Sequence, residues 1–445
     1  MARYIRWQAL LALLGIALVG ALLIYLTLNL STTVVPEKGG TYVEGVVGLP
    51  QWVNPILAQY NPVDQDLCAL VFEGLTRVNE QGELEPYLST VWEVSDDGKV
   101  YTFQLRQDVR WHDGVPFTAD DVVFTIQAIQ DPDYQGVPYL AELWRSVQVE
   151  KIDDYTVRFT LEEPFIPFLD YTTIGLLPAH LLADVPARQL PKHPFSTRPV
   201  GTGPFMLEEL TTEHALLRVN PRHWGPRPYL EKIEFRFYPS EEALFAAYER
   251  GEVKGISYVR PQDIPRLRGY PDLRLYSARI SGYTLIYLNL DNPEVPFFQD
   301  KRVRQALLYA LDRQRLIDRV LNGQGLIAHS PIMPDSWAYD PEIPIYPYDP
   351  QQAQKLLDEA GWRDLQRLRA MTDEGQAEVT GVREKEDMKL SFTLLTRNDP
   401  LDIALAQEIA RQWARVGVEA IPQAVTFSTL TSEYLRPRRF QAVLS

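Results

Sequence analysis

The sequence predicts an α/β chain of two or three domains behind one membrane-crossing helix, and three observations carry that reading. The first is length, because 445 residues at about 150 per domain are more than one hydrophobic core usually holds. The second is patterning. Runs of period two, such as Tyr101-Thr102-Phe103-Gln104-Leu105, are interleaved with runs at helical spacing, such as Val303, Ala306, Leu307, Ala310 and Leu311. The third is the stretch 9–26, which carries no charge; at about 1.5 Å per residue a helix there reaches about 27 Å, close to a bilayer's hydrocarbon thickness.

Composition excludes several function classes. Hydrophobic residues make up 45% of the chain and charged ones 23%, so a largely disordered protein is excluded. The net charge of −15 argues against a nucleic-acid partner, whose phosphates need clustered Lys and Arg. Arg3 and Arg6 precede the uncharged stretch and Ser31-Thr32-Thr33 follows it. The positive-inside rule therefore puts residues 1–8 in the cytoplasm, a signal anchor at 9–30, and the main domain outside the cytoplasm, periplasmic or extracellular. A cleaved signal peptide is the alternative, although its apolar region usually runs only about 7–15 residues and no small-x-small site follows this one. Residues 31–38 read as a polar linker. The single cysteine, Cys68, lies among Leu67, Ala69 and Leu70 and reads as a small buried hydrophobe that permits no internal disulfide.

The elements follow in order. A first strand is expected at 41–47 after Gly39-Gly40. Asp97-Gly98 is a hairpin turn ahead of the strand at 101–105. His112-Asp113-Gly114 is a second turn, and Thr118 before Asp120-Asp121 starts a capped helix. Gly201-Thr202-Gly203 lacks the spacing of either nucleotide loop; with Pro204 and Phe205-Met206-Leu207 behind it, it reads as a tight turn feeding a strand. A helix at 241–250 stops at Gly251, with Ala243, Leu244, Ala247 and Tyr248 on one side. Leu285-Ile286-Tyr287-Leu288-Asn289 is a strand, 300–313 one amphipathic helix, and Ala353, Leu356 and Leu357 mark a helix stopped by Gly361. The charged stretch 364–387 reads as an extended surface loop. Ile403, Ala406, Ile409, Ala410 and Trp413 face inward from a last helix, and Gly417 opens the next strand.

No reaction is in view. There is no His-Glu-x-x-His helix, no Gly-x-Ser-x-Gly elbow and no pair of cysteines. His112, His180, His193, His214, His223 and His329 are scattered without ligand spacing. Glu162-Glu163 and Asp153-Asp154 are adjacent, and adjacent strand residues point to opposite faces, which makes them poor acid/base pairs. The expectation is a protein that is no enzyme and has no cofactor and no metal site.

Short motifs of unusual residue types then fall in a telling order: Val71-Phe72-Glu73-Gly74-Leu75, Pro86-Tyr87-Leu88, Trp92, Asp97-Gly98 and the strand to Arg106, Trp111-His112-Asp113-Gly114, and Phe117-Thr118-Ala119-Asp120-Asp121-Val122. Pro199-Val200-Gly201-Thr202-Gly203-Pro204-Phe205, Asn220-Pro221-Arg222-His223-Trp224 and the segment from Asp300 to Arg313 continue the series. The whole resembles the peptide- and nickel-type extracytoplasmic solute-binding proteins, family 5, of ABC importers.

That resemblance implies a two-lobed periplasmic-binding-protein-like fold of type II, cluster C, with an extra subdomain in the first lobe. Lobe I is placed at 39–275, its small subdomain at about 54–195, and lobe II at 276–445. It further implies a monomer that closes on a peptide or other small solute and delivers it to ABC permease and ATPase subunits. The residues expected at the ligand are Val47 and Trp52 after the first strand, Tyr283 and Asn289 around the crossing between lobes, and Phe427 and Leu444 in lobe II. Relatives carry a lipid-bearing cysteine after the signal segment, and the helix at 9–30 is expected to replace it. Their chain also runs on past the segment 439–445, so the sequence reads as C-terminally truncated or as a variant that has lost the closing elements of both lobes. The aspartate that pairs with the ligand's amino group in peptide binders falls beyond Ser445, and Leu444 stands near where some relatives place an arginine for its carboxylate. Two functions remain open: an importer subunit for peptides or similar solutes, and a membrane-anchored sensor or cell-envelope interaction protein on the same scaffold.

Overall fold

The computed structural model describes residues 2–30, 37–278, 282–334, 336, 338–364 and 381–445, with only the backbone of 2–6, 8–11 and 27–30. The expected linker at 31–38 and surface loop at 364–387 lie outside these residues except at their ends. The chain divides into two compact units, one ending at Tyr258 and the other starting at Val259. This division precedes the expected 275/276 boundary because the intervening segment bonds to the second unit. Within that segment the Pro261 carbonyl accepts Asn322 Nδ2 at 2.8 Å.

The N-terminal stretch forms one helix, Ala2–Leu30, on which Leu13, Ile16, Val19 and Leu23 are exposed. Among the described residues no helix is long and apolar enough to cross a membrane.

Unit 1 holds a mixed sheet in the order β11-β1-β10-β9-β8. Its strands are β1 (Thr41–Val47), β8 (Phe205–Leu210), β9 (His214–Val219), β10 (Lys232–Tyr238) and β11 (Gly255–Ile256). Between β1 and β8 the chain inserts a hairpin, β2 (Thr76–Val78) with β3 (Leu84–Pro86), and an antiparallel sheet in the order β4-β5-β7-β6. The strands of that sheet are β4 (Ser89–Val94), β5 (Val100–Leu105), β6 (Val147–Asp153) and β7 (Thr156–Leu161). Alternation explains β5: Tyr101, Phe103 and Leu105 are buried while Thr102 and Gln104 lie on the opposite, less buried face. Phe103 meets Phe159 edge-on at 5.6 Å, and Trp144 packs on both Phe159 and Phe168, so aromatic burial holds this layer. Gly98 takes the positive φ its turn needs.

Two predicted turns are welded together at the base of this layer. Asp121 closes a capping box with Thr118 on the helix Ala119–Gln130. The same buried carboxylate accepts Trp111 Nε1 at 3.1 Å and the Ala179 amide at 2.8 Å. His112 Nδ1 accepts the Gly201 amide at 3.1 Å, and its Nε2 lies 3.0 Å from the Gly203 carbonyl. Gly203 in turn donates its amide to Val71 at 2.9 Å.

Unit 2 has a sheet in the order β12-β17-β15-β16, formed by β12 (Ile286–Leu288), β15 (Ser391–Arg397), β16 (Glu419–Val425) and β17 (Ala442–Leu444). A small hairpin of β13 (Glu384–Lys385) and β14 (Met388–Lys389) lies between β12 and β15 in the chain. The helices Lys301–Tyr309, Pro350–Glu359 and Pro400–Ala414 begin at Asp300, Asp349 and Asp399, each of which accepts an amide of its own first turn. The single helix expected over 300–313 is two. Asp312 accepts the Arg315 amide at 3.0 Å and caps a separate helix, Arg313–Arg319. Trp413 Nε1 donates to the Leu307 carbonyl at 2.9 Å, and Arg383, fully buried, is satisfied by Val416 O, Trp362 O and Asp358 Oδ1.

A Cβ placed on Gly201 would overlap the Val71 carbonyl oxygen, a backbone atom that cannot rotate aside. Gly201→Ala is therefore expected to lower the stability of unit 1 by about 1–3 kcal/mol or more, read as a shift of its urea midpoint. An unchanged midpoint would show that the turn is free to move.

Candidate functional site

In unit 1, β1 runs parallel to β10 and β11, with Val47 beside Tyr238 and Gly45 beside Ile256. Their carboxyl ends share one edge of the sheet, the place where open α/β sheets collect ligands. From that edge the chain leaves β1 at Gly48, whose φ of +108° favours glycine. The segment 48–53 is then pinned at five points. Gly48 donates to Tyr238 O at 3.0 Å and Val53 to Ser196 O at 2.8 Å. Asn61 Nδ2 donates to Leu49 O at 2.8 Å, and Asp64 accepts the amides of Gln51 at 2.7 Å and Trp52 at 3.0 Å. Val47 and Trp52 thus flank one fixed loop, with Leu49 and Gln51 exposed between them and Trp52 half-buried against the core.

The sequence reading missed the acids behind this loop. Asp64 is fully buried, and burial pushes its pKa up to about 6 even though two amides favour the charged form. Glu44 is raised by burial and then by the charge of Asp66. Asp66 is itself raised by burial and accepts Ser257 Oγ at 3.0 Å. One signal was present. Asn61 caps the helix Pro62–Val71, which places Asp64 third in its first turn, within reach of amides just upstream.

In unit 2, β16 and β17 are both parallel to β15, so Arg397, Val425 and Leu444 end at one edge. β12 is antiparallel to β17 and begins there, which brings in Tyr283. Tyr283 and Phe427, 47% and 64% exposed, leave aromatic surface open at this edge. Leu444 shares the edge but is buried in the core and pairs with Ile286. Asn289 lies at the opposite end of β12, buried, its Nδ2 donating to Arg438 O at 3.0 Å and Phe440 O at 2.8 Å. The side chains of Asn289 and Leu444 are therefore engaged in the fold of unit 2, and of the residues expected at the ligand there only Tyr283 and Phe427 present free surface.

The family motifs serve packing. Glu73 is buried with its carboxylate on His223 Nε2 at 2.9 Å and Trp224 Nε1 at 3.0 Å. Burial lowers the pKa of His112 to about 4. Among the described residues no group of three or more His, Cys, Asp or Glu is placed to hold a metal ion.

Asp64 and His112 give stability opposite dependences on pH. His112 titrates lower in the folded state than in the unfolded one, so its contribution is complete above about pH 6.5 and is lost as pH falls toward 4. Asp64 titrates higher when folded, so its contribution is complete below about pH 4 and is lost as pH rises through 6. The stability of Asp64→Asn minus that of the parent, from urea unfolding, is expected to rise by about 3 kcal/mol between pH 4 and 8. A flat difference would show that Asp64 titrates as in the unfolded chain.

Comparison with known proteins adds to this geometry. The chain is 31% identical over 412 residues to the oligopeptide-binding protein AppA of Bacillus subtilis (strain 168), covering 90% of this chain and 72% of that protein. It is 32% identical over 362 residues to heme-binding protein A of Haemophilus influenzae, covering 76% of this chain and 62% of that one. The structure of NikZ from Campylobacter jejuni in complex with Ni(L-His) matches with a TM-score of 0.70 at 27% identity, over 91% of this chain and 76% of that one. The family model for bacterial extracellular solute-binding proteins, family 5 Middle, matches residues 83–445, and the chain belongs to that family.

Proposed function

We propose that this chain is the extracytoplasmic solute-binding subunit of an ABC importer, which takes up a peptide or similar small solute without chemical turnover and passes it to a permease driven by an ATPase. The observation that carries this reading is that candidate residues of each unit lie at the carboxyl edge of its parallel strands: the half-buried Val47 and Trp52 in unit 1, the exposed Tyr283 and Phe427 in unit 2. An edge of this kind offers main-chain groups and aromatic surface, which suits a ligand with a peptide backbone. The solutes in the names of the relatives are an oligopeptide, heme and a nickel–histidine complex, and these define the ligand panel to try. The charge pattern of Arg3, Arg6 and the uncharged stretch 9–26 argues from the sequence for a membrane tether with the binding domain outside the cytoplasm, although no described helix is long and apolar enough to cross a membrane. The same stretch favours the second reading, a membrane-anchored sensor or cell-envelope interaction protein on this scaffold.

The test is thermal denaturation of the full chain in detergent with di-, tri- and oligopeptides, Ni(L-His) and heme. A ligand at 100 times its Kd adds about 2.7 kcal/mol of stability, readily seen as a raised midpoint. Tyr283→Ala and Phe427→Ala are expected to weaken the bound ligand about tenfold or more while leaving the free protein's midpoint in place, since both side chains are exposed. No shift with any of these ligands would favour the sensor reading.

A further inference from the structure

A hollow of about 320 Å³ opens in unit 1 where the β2–β3 hairpin meets the turn after β9, and Arg77, Tyr87, Arg106 and Trp224 line it together with four prolines. Two features set it apart from the rest of the surface. Both arginines are laid against rings: Arg106 Cζ is 3.9 Å from the Trp224 ring centroid, and Arg77 Cζ is 4.4 Å from that of Tyr87. Each also has its Nε occupied, Arg106 by the Tyr87 carbonyl at 2.8 Å and Arg77 by Glu85. Stacking and the Nε bond fix the plane of a guanidinium and leave its terminal N–H groups as the fork that recognises carboxylates. The nearest acid to Arg106, Asp108, is 4.0 Å from Nη1, beyond hydrogen-bond reach.

The lining is also one-signed. In a chain of net charge −15, the lining itself contains two arginines and no carboxylate, while their ion-pair partners, Glu85 on Arg77 and Asp108 at 4.0 Å from Arg106, lie outside it. His223, which completes the wall, offers no free donor, because its Nε2 is on Glu73 and its Nδ1 accepts the Gly225 amide at 3.2 Å. The remaining surface is Pro86, Pro204, Pro226, Pro228 and the indole, all rigid and largely apolar. The volume is at the small end of ligand pockets. The geometry points to a binding site for a small organic carboxylate with a flat or apolar body, its charge on Arg106 and Arg77 and its body against Trp224 and the prolines. All of these residues belong to unit 1 and none is among those proposed to take the transported solute.

The probe is benzoate, followed by the fluorine signal of Trp224 in the full chain labelled with 5-fluorotryptophan and assigned by its loss in Trp224→Phe. Benzoate is expected to give a saturable shift with a Kd in the millimolar range, whereas neutral benzamide gives none. Arg106→Gln is expected to weaken benzoate at least tenfold. Arg77→Gln, at a half-exposed side chain, should do the same without disturbing the fold. The proposal is overturned if benzoate gives no saturable shift at tens of millimolar, or if benzamide binds equally well. Inorganic phosphate displacing benzoate at equal concentration would also sink it, by showing a bare anion site.

Discussion

The buried carboxylate of Glu73 is the constraint on which unit 1 depends. Its two oxygens take His223 Nε2 and Trp224 Nε1, so the strand turn after β9 is tied to the segment that leaves the helix Pro62–Val71. A carboxylate in so dry a place is costly unless each oxygen is matched, and removing one side of such a set exposes the other to the same penalty. The partners brought here also build the next layer. Trp224 carries Arg106 on its face, and Arg106 holds the Tyr87 carbonyl at the end of the β2–β3 hairpin. At its other end the same helix carries Asn61 and Asp64, which fix the loop after β1. One short helix thus connects the packing anchor with the edge where a solute is proposed to lie.

Much of this was legible from side-chain types and spacing. The alternation at β5, the Asp97-Gly98 turn and the capped helix after Thr118 form as their residues dictate, because each depends on neighbours close in the chain. The misses have long-range or competing causes. The helix expected over 300–313 stops at Tyr309 with Ala310 closing it, and Asp312 caps a new helix from Arg313. Asn289 is expected at the ligand from its place at the crossing between lobes, yet carbonyls from Arg438 and Phe440, distant in sequence, already occupy its amide. The start of unit 2 at Val259 goes with a bond from Asn322 to the Pro261 carbonyl that no local pattern announces.

The motifs that gave the family away are therefore scaffold. Trp111, His112, Glu73 and Trp224 are buried or hydrogen-bonded inward, and a scaffold shared by proteins named for an oligopeptide, heme and a nickel complex does not by itself select a solute. Under the proposed function, selection falls to the exposed edge residues, whose side chains lie outside the core. This is why recognition of the family from sequence reaches further than recognition of the ligand.

Pre-organisation is what the loop after β1 brings to the proposed site. Ordering a free residue costs about 1–2 kcal/mol in backbone entropy, and a mobile loop would have to meet that cost for each of its residues when the solute binds. Here hydrogen bonds to Tyr238, Ser196, Asn61 and Asp64 settle it during folding. The arrangement concentrates the burden on Asp64, the only one of these groups that titrates near neutrality. Charged, it accepts both amides; protonated, one oxygen becomes a donor and its hold on Gln51 or Trp52 weakens. The rigidity of the edge is thus tied to the ionisation of a buried residue behind it.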